Sequence, residues 1–124
     1  VRIRPERVAE LIKRETADIL ENDLNDPRVS GFLSVTDVEI TPDLSFARIY
    51  VSVLGSGDEI ARVLAALEHA APFVRRQLAP RLKLREMPEI RFVRDDSLER
   101  GARVDELLRK IAEGQRIDEE DEPT

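Results

Sequence analysis

Five cations crowd a stretch of eleven residues: Arg75, Arg76, Arg81, Lys83 and Arg85. Arginine offers a planar fork of donors that matches a phosphate, and lysine adds a compact point charge. Clustering gives little stability, since exposed ion pairs contribute only about 0–1 kcal/mol each. The chemistry such a ridge suits is contact with an anionic backbone. Immediately before it stands Glu68-His69-Ala70-Ala71-Pro72. Pro72 has no N–H, and its ring presses on the carbonyl of Glu68. A continuous α-helix there costs about 3 kcal/mol. The predicted shape is helix, kink, helix, with Pro72 in the first turn of the second helix. That helix start would add backbone donors and a partial positive charge. Ala70 and Ala71 belong to the candidate site as the small residues of the kink, and they equally suit a close helix crossing.

The other chemically able residues point to structural roles. Asp95 and Asp96 precede Ser97 at a strand-to-helix turn, where adjacent carboxylates act as caps more often than as magnesium ligands. His69 is the only histidine and has no nucleophile partner in sequence. With no cysteine, thiolate metal sites and disulfides are impossible. No phosphate loop, nucleophile–base pair or metal cluster is legible, so neither an enzyme nor a cofactor is expected. Arg100 and Arg103, with Arg109 and Lys110, alternate with Asp105 and Glu106. They form a second-rank cationic patch beside a solvated-face reading. Arg28, in Asp26-Pro27-Arg28, could reach a phosphate from a helix stop.

The net charge of −6 conceals a segregated distribution. Residues 1–74 carry 8 basic and 13 acidic side chains, residues 75–110 carry 11 and 7, and residues 111–124 carry 1 and 6. A locally positive field is therefore compatible with an acidic chain. Four Phe, one Tyr and no Trp argue against a broad base-stacking platform. No apolar run approaches a membrane span, and no targeting segment is visible. The expectation is a cytoplasmic monomer with no membrane contact.

Elements that must position the cations follow from patterning. A helix is predicted from Pro5 to Leu24, with Val8, Leu11, Ile12, Ile19 and Leu20 on one stripe. It stops at Asn25-Asp26-Pro27. Strands follow at Leu33–Thr41 and Leu44–Leu54, the first with a bulge between Val35 and Val38. In the second, Ala47, Ile49, Val51 and Val53 alternate with Phe46, Arg48, Tyr50 and Ser52, which gives one buried and one open face. Ser56 and Glu59 have capping-box spacing. The helix they open buries Ile60, Val63, Leu64 and Leu67, and after the kink Val74, Leu78 and Leu82 continue the stripe. Pro80 is predicted to end the second helix, leaving Arg81–Arg85 extended with its cations on one face. Glu89–Val93 reads as a third strand. Leu98–Ala112 reads as a last helix with Leu98, Val104, Leu107, Leu108 and Ile111 inward. Residues 113–124 read as an acidic, disordered tail on a 1–112 domain.

This order makes an α+β fold with a three-stranded sheet packed with helices, in the manner of KH-type domains. It lacks their Gly-x-x-Gly loop, with Ala70-Ala71-Pro72 in its place. The chain also resembles the ribosome-binding factor A family of bacteria, over roughly Arg4 to Ile111. The resemblance rests on Asp26-Pro27-Arg28, on Asp43-Leu44-Ser45-Phe46-Ala47-Arg48-Ile49-Tyr50-Val51, and on the alanine kink. Pro88-Glu89-Ile90-Arg91-Phe92 and Asp95-Asp96-Ser97-Leu98-Glu99-Arg100-Gly101 extend it. It implies a KH-like domain of the second topological type, with the kink built on alanine. It further implies binding to the 30S subunit and 16S rRNA, a role in late rRNA maturation and growth in the cold, and release assisted by a GTPase. Family members often carry glycine where this chain has Pro72.

Two function classes remain on this reading. One is a noncatalytic RNA-binding assembly factor that favours one rRNA conformation by binding it. The other is a protein-interaction module whose basic surface is not dedicated to rRNA. Phosphate binding weakens steeply with salt, whereas docking on an apolar surface does not.

Overall fold

The strongest strand pattern forms the centre of the sheet. The computed structural model describes residues 4–29 and 33–114, without the side chains of residues 98–100 and 102. Strand β2 (Phe46–Val53) buries Ala47, Ile49, Val51 and Val53 and lies between β1 (Leu33–Ile40) and β3 (Glu89–Arg94). β1 pairs with it antiparallel, and the register shifts between Val35 and Asp37, where a bulge was expected. β3 pairs with it parallel, setting Ile49 beside Phe92 and Arg48 beside Arg91. Helices α1 (Pro5–Asp18) and α2 (Gly57–Leu82) cover the buried face, with Val8, Ile12, Leu67, Val74 and Leu78 in the core.

The first helix does not end as a plain α-helix. Its last turn, Ile19–Asp23, is a π-helix, closed by the Leu24 N–H donating to the Ile19 carbonyl at 3.0 Å. A π-turn hydrogen-bonds residues five apart and so stacks them. Asp18 and Asp23 consequently face the same way. Together with Glu15 they converge on one guanidinium: Arg81 lies 2.6 Å from Asp18, 2.7 Å from Asp23 and 3.2 Å from Glu15. The clamp ties the end of α1 to the end of α2.

It also carries a pH signature. The hydrogen bond from Arg81, then one from Asn22, holds the Asp18 carboxyl below its ordinary 3.8. A lowered carboxylate pKa stabilises the fold fully above the unfolded value, and that contribution is lost as pH falls through the folded value. An Arg81→Gln variant should therefore be less stable than wild type in urea at neutral pH. The gap should narrow as pH falls below about 4. An equal gap at both ends would contradict the clamp.

The largest departure from expectation concerns α2. Ala70–Pro72 does not separate two helices. One helix runs from Gly57 to Leu82, with both Pro72 and Pro80 inside it. It opens on the expected capping box: the Glu59 N–H donates to Ser56 Oγ at 3.2 Å, and the Ser56 N–H donates to Glu59 Oε1 at 3.3 Å. It closes at Lys83, which is left-handed at φ 54°. The segment expected to be extended from Arg81 is therefore still helical at Arg81 and Leu82. Burial explains the continuity. Ala70, Val74, Leu78 and Leu82 stay on one buried stripe only if the helix keeps its phase past Pro72. Each fully buried aliphatic side chain contributes about 1.5–3 kcal/mol, which together outweighs about 3 kcal/mol for an interior proline. Both prolines are exposed, as are Glu68 and Arg76 four residues back, so water can reach the carbonyls left unpaired. A Pro72→Ala substitution restores an N–H to a formed helix and should raise stability by about 2 kcal/mol in urea unfolding. A neutral or negative effect would mean that the chain needs proline there.

Helix α3 (Ser97–Ala112) forms where expected but does not bury its stripe. Val104, Leu107, Leu108 and Ile111 are 54%, 44%, 57% and 54% exposed. The helical face of the sheet is already covered by α1 and α2. The side chains of Leu98 and Arg100, and the acidic segment beyond residue 114, lie outside the described residues.

Candidate nucleic-acid interface

Residues spaced three and four apart on α2 form a second stripe beside the buried one: Ala61, Leu64, Ala65, Glu68, Ala71, Pro72, Arg75 and Arg76. With Glu89, Ile90, Arg91, Phe92 and Arg94 of β3, they line a groove of about 1030 Å³. β3 is an edge strand, so one of its sides faces this groove rather than another strand. The alanines keep the helix wall low. Leu64, Ile90 and Phe92 form a half-buried apolar floor, and arginines stand along both walls.

The cations differ in how far they are committed. Arg75 donates from Nε to the Pro88 carbonyl at 2.9 Å and from Nη2 to the Met87 carbonyl at 2.8 Å, with Glu89 at 3.7 Å. It fastens α2 to the lead-in of β3 and thereby fixes the groove. Arg76 and Arg91 are exposed and make no ion pair among the described residues. Arg75 also borders a second hollow of about 980 Å³, lined by Asp43–Ser45, Leu84, Arg85, Glu86, Met87 and Glu89. Arg85 thus shares a hollow with Arg75, beside the carboxylates of Asp43, Glu86 and Glu89. Lys83, at the helix end, is exposed as well.

Other expected site residues lie elsewhere. Arg81 points to α1 and is engaged by three carboxylates. Its hydrogen bond to Asp18 leads the causes that raise its own pKa. Arg28 donates to both oxygens of Asp26, at 3.1 Å and 2.8 Å, while its N–H closes the turn onto the same carboxylate at 3.0 Å. That side-chain bond is the main reason the Asp26 carboxyl sits below its ordinary range. Ala70 is buried toward the core, and Ala71 lines the groove. Arg103 is exposed on α3, away from the groove lining. Arg91 and Arg94 were missed as site residues. Their charges were legible, but the parallel register was not: it sets Arg94 beside buried Val51 on the face that α2 covers, and Arg91 beside Arg48 on the other face, where it borders the groove at the edge of β3.

Of the two carboxylates expected to cap α3, Asp95 does so, whereas Asp96, at the N-cap position itself, makes no side-chain cap hydrogen bond. Asp95 accepts the Ser97 N–H at 2.9 Å and the Thr36 hydroxyl at 2.7 Å, tying the start of α3 to β1. Among the described residues, no three His, Cys, Asp or Glu side chains converge as a metal site. No helix among the described residues is long and apolar enough to cross a membrane. The arrangement as a whole can hold an extended anionic polymer, with phosphates toward the arginines and bases toward Leu64, Ile90 and Phe92.

Comparison with known proteins converges on one family. The family model for ribosome-binding factor A matches residues 4–108. The ribosome-binding factor A of Acetivibrio thermocellus is 48% identical over 109 residues, covering 88% of this chain and 89% of that protein. The crystal structure of ribosome-binding factor A from Thermus thermophilus superposes with a TM-score of 0.63 at 27% identity, over 73% of this chain and 93% of the other. A homology model of the Thermus thermophilus factor, fitted into an electron cryo-microscopy map of its 30S complex, gives 0.58 at 28% identity, over 71% and 91%. The α+β layout is thus the KH-like fold shared with these structures.

Proposed function

The chain belongs to the ribosome-binding factor A family, and from that premise we propose that it is a noncatalytic assembly factor that binds the 30S ribosomal subunit. Its target is 16S rRNA in free or immature subunits, and its action is to assist late maturation and processing of that rRNA. The domain is residues 1–112, with residues 113–124 as an acidic appendage. It works in the cytoplasm as a monomer, supports growth in the cold, and leaves the particle with help from a GTPase.

The observation that carries this reading is the α2–β3 groove, an apolar floor bordered by Arg75 and Arg76 of α2 and by Arg94 and the edge of β3 at Arg91. Arg76, Arg91, Lys83 and Arg85 make the phosphate contacts, Arg75 and Ala71 shape the groove, and Arg28, Arg100 and Arg103 are second-rank contacts. Arg81 serves the site by holding α2 against α1. Binding needs no bond-making step, because a protein that prefers one rRNA conformation shifts the population toward it. The relative fitted into a 30S complex supports the same partner.

The test is co-sedimentation of the full chain with purified 30S subunits and their immature precursors across a salt series. Binding that weakens steeply with salt supports phosphate contact. Salt-insensitive binding would favour the protein-interaction reading, and no binding at any salt would refute the assignment.

A further inference from the structure

Phosphates call only for donors, yet the α2–β3 groove also offers an acceptor. Pro72 lies inside α2, and its nitrogen carries no hydrogen. The Glu68 carbonyl, four residues earlier, is therefore left without its helical partner. Glu68, Ala71, Pro72 and Arg75 all line the groove, which places this carbonyl on the helical wall. Glu68 and Pro72 are both exposed. Arg75 directs Nε and Nη2 to the Pro88 and Met87 carbonyls instead, and among the described residues no side chain donates to Glu68. We propose that the Glu68 carbonyl, freed by Pro72, accepts a hydrogen bond from a base amine of RNA held in the groove, and so biases the site toward amine-bearing bases. The inference rests on the groove reading above and names one group that discriminates among its ligands.

The chemistry of RNA selects which donor fits. A phosphodiester has no donor at neutral pH, so this carbonyl takes no part in following the backbone. Bases lie toward Leu64, Ile90 and Phe92, and an acceptor beside that apolar floor meets their edges. Cytosine presents an N4 amine where uracil, a ring of the same size, presents an oxygen. A carbonyl attracts the first and repels the second. Water satisfies the free carbonyl until RNA arrives, and the amine replaces that water with an equivalent bond. The other interior proline supplies the contrast. Pro80 frees the Arg76 carbonyl in the same way, but Pro80 does not line the groove. Of these two acceptors, the one between Glu68 and Pro72 lies where a base can reach it.

The experiment compares the affinity of the full chain for oligocytidine and oligouridine of equal length, by fluorescence anisotropy at one salt concentration. Wild type should prefer oligocytidine. In Pro72→Ala the restored N–H pairs with the Glu68 carbonyl. The preference should then fall about threefold to tenfold, the loss of one neutral hydrogen bond, although the variant is the more stable protein. An ester analogue of that variant, with lactic acid at position 72, has an oxygen in place of the N–H and no ring. It should recover the wild-type preference. Pro80→Ala should leave the preference unchanged. The effect of Pro72→Ala should persist on the deoxy oligomers; its confinement to RNA would give the donor role to the 2′-hydroxyl and overturn the base reading. A wild type without preference, a preference that survives Pro72→Ala, or an ester that restores nothing would each overturn the proposal. The groove reading fails separately: RNA affinity untouched by Arg76→Glu combined with Arg91→Glu would place RNA elsewhere and remove both.

Discussion

A chain carrying Arg76→Glu and Arg91→Glu should lose about a hundredfold in affinity for the 30S subunit while remaining folded. Both side chains are exposed, Arg76 on α2 and Arg91 on the edge strand β3 that borders the groove, and hold up no part of the fold through an ion pair among the described residues. A charge-assisted hydrogen bond contributes about 1.5–3 kcal/mol, so two lost contacts amount to at least two powers of ten. Reversal, rather than neutralisation, adds repulsion toward the phosphates. The slope of log affinity against log salt should also fall by about 2, one for each phosphate contact removed. Circular dichroism and urea midpoints report folding, and filter binding across a salt series reports the slope. An unchanged slope with intact affinity would move the RNA surface off this groove. Arg75→Glu is a poor substitute, because Arg75 holds the Met87 and Pro88 carbonyls and its loss would disturb the groove itself.

The second large effect is on stability. Leu78→Ala should cost about 3 kcal/mol, whereas Leu108→Ala should stay within about 0.5 kcal/mol. Leu78 is fully buried beneath the helical half that follows Pro72, and Leu108 is 57% exposed on α3. With total stability of about 5–15 kcal/mol for a domain this size, the first change is a substantial fraction and the second is negligible. Urea unfolding of the two variants decides the matter. Equal losses would mean that α3 packs its stripe on the body after all. A small loss at Leu78 would mean that the second half of α2 is not part of the core.

That contrast marks where sequence reasoning stops. Leu78 and Leu108 occupy equally good amphipathic patterns. Amphipathicity states that a helix has an apolar face, and it does not state that an acceptor surface is free. Features governed by neighbours in sequence were legible: the alternation of Ala47, Ile49, Val51 and Val53, the bulge near Val35, and the reciprocal cap of Ser56 and Glu59. Features governed by distant partners were not. Pro72 carries a local cost that argues for a break, while the burial that overrides it comes from packing on α1 and the sheet. Arg81 reads as one more cation on the ridge until the end of α1 and its π-turn, 58 to 66 residues earlier in sequence, gather the carboxylates of Glu15, Asp18 and Asp23. Arg94 reads as the end of a strand until parallel pairing with β2 sets it beside buried Val51, on the face that α2 covers. The cationic character of residues 75–110 was therefore evident, but its division into groove residues and clamp residues needed the tertiary structure.

The most direct test of the central claim is a site-specific photo-crosslink. A photoreactive amino acid placed at Ala71, which lines the groove, is irradiated in the complex with immature 30S subunits, with Glu10 on the exposed side of α1 as the control position. The account predicts crosslinks from residue 71 to 16S rRNA and none from residue 10. Crosslinks from residue 10 to rRNA with none from residue 71, in a chain that binds the subunit normally, would contradict it.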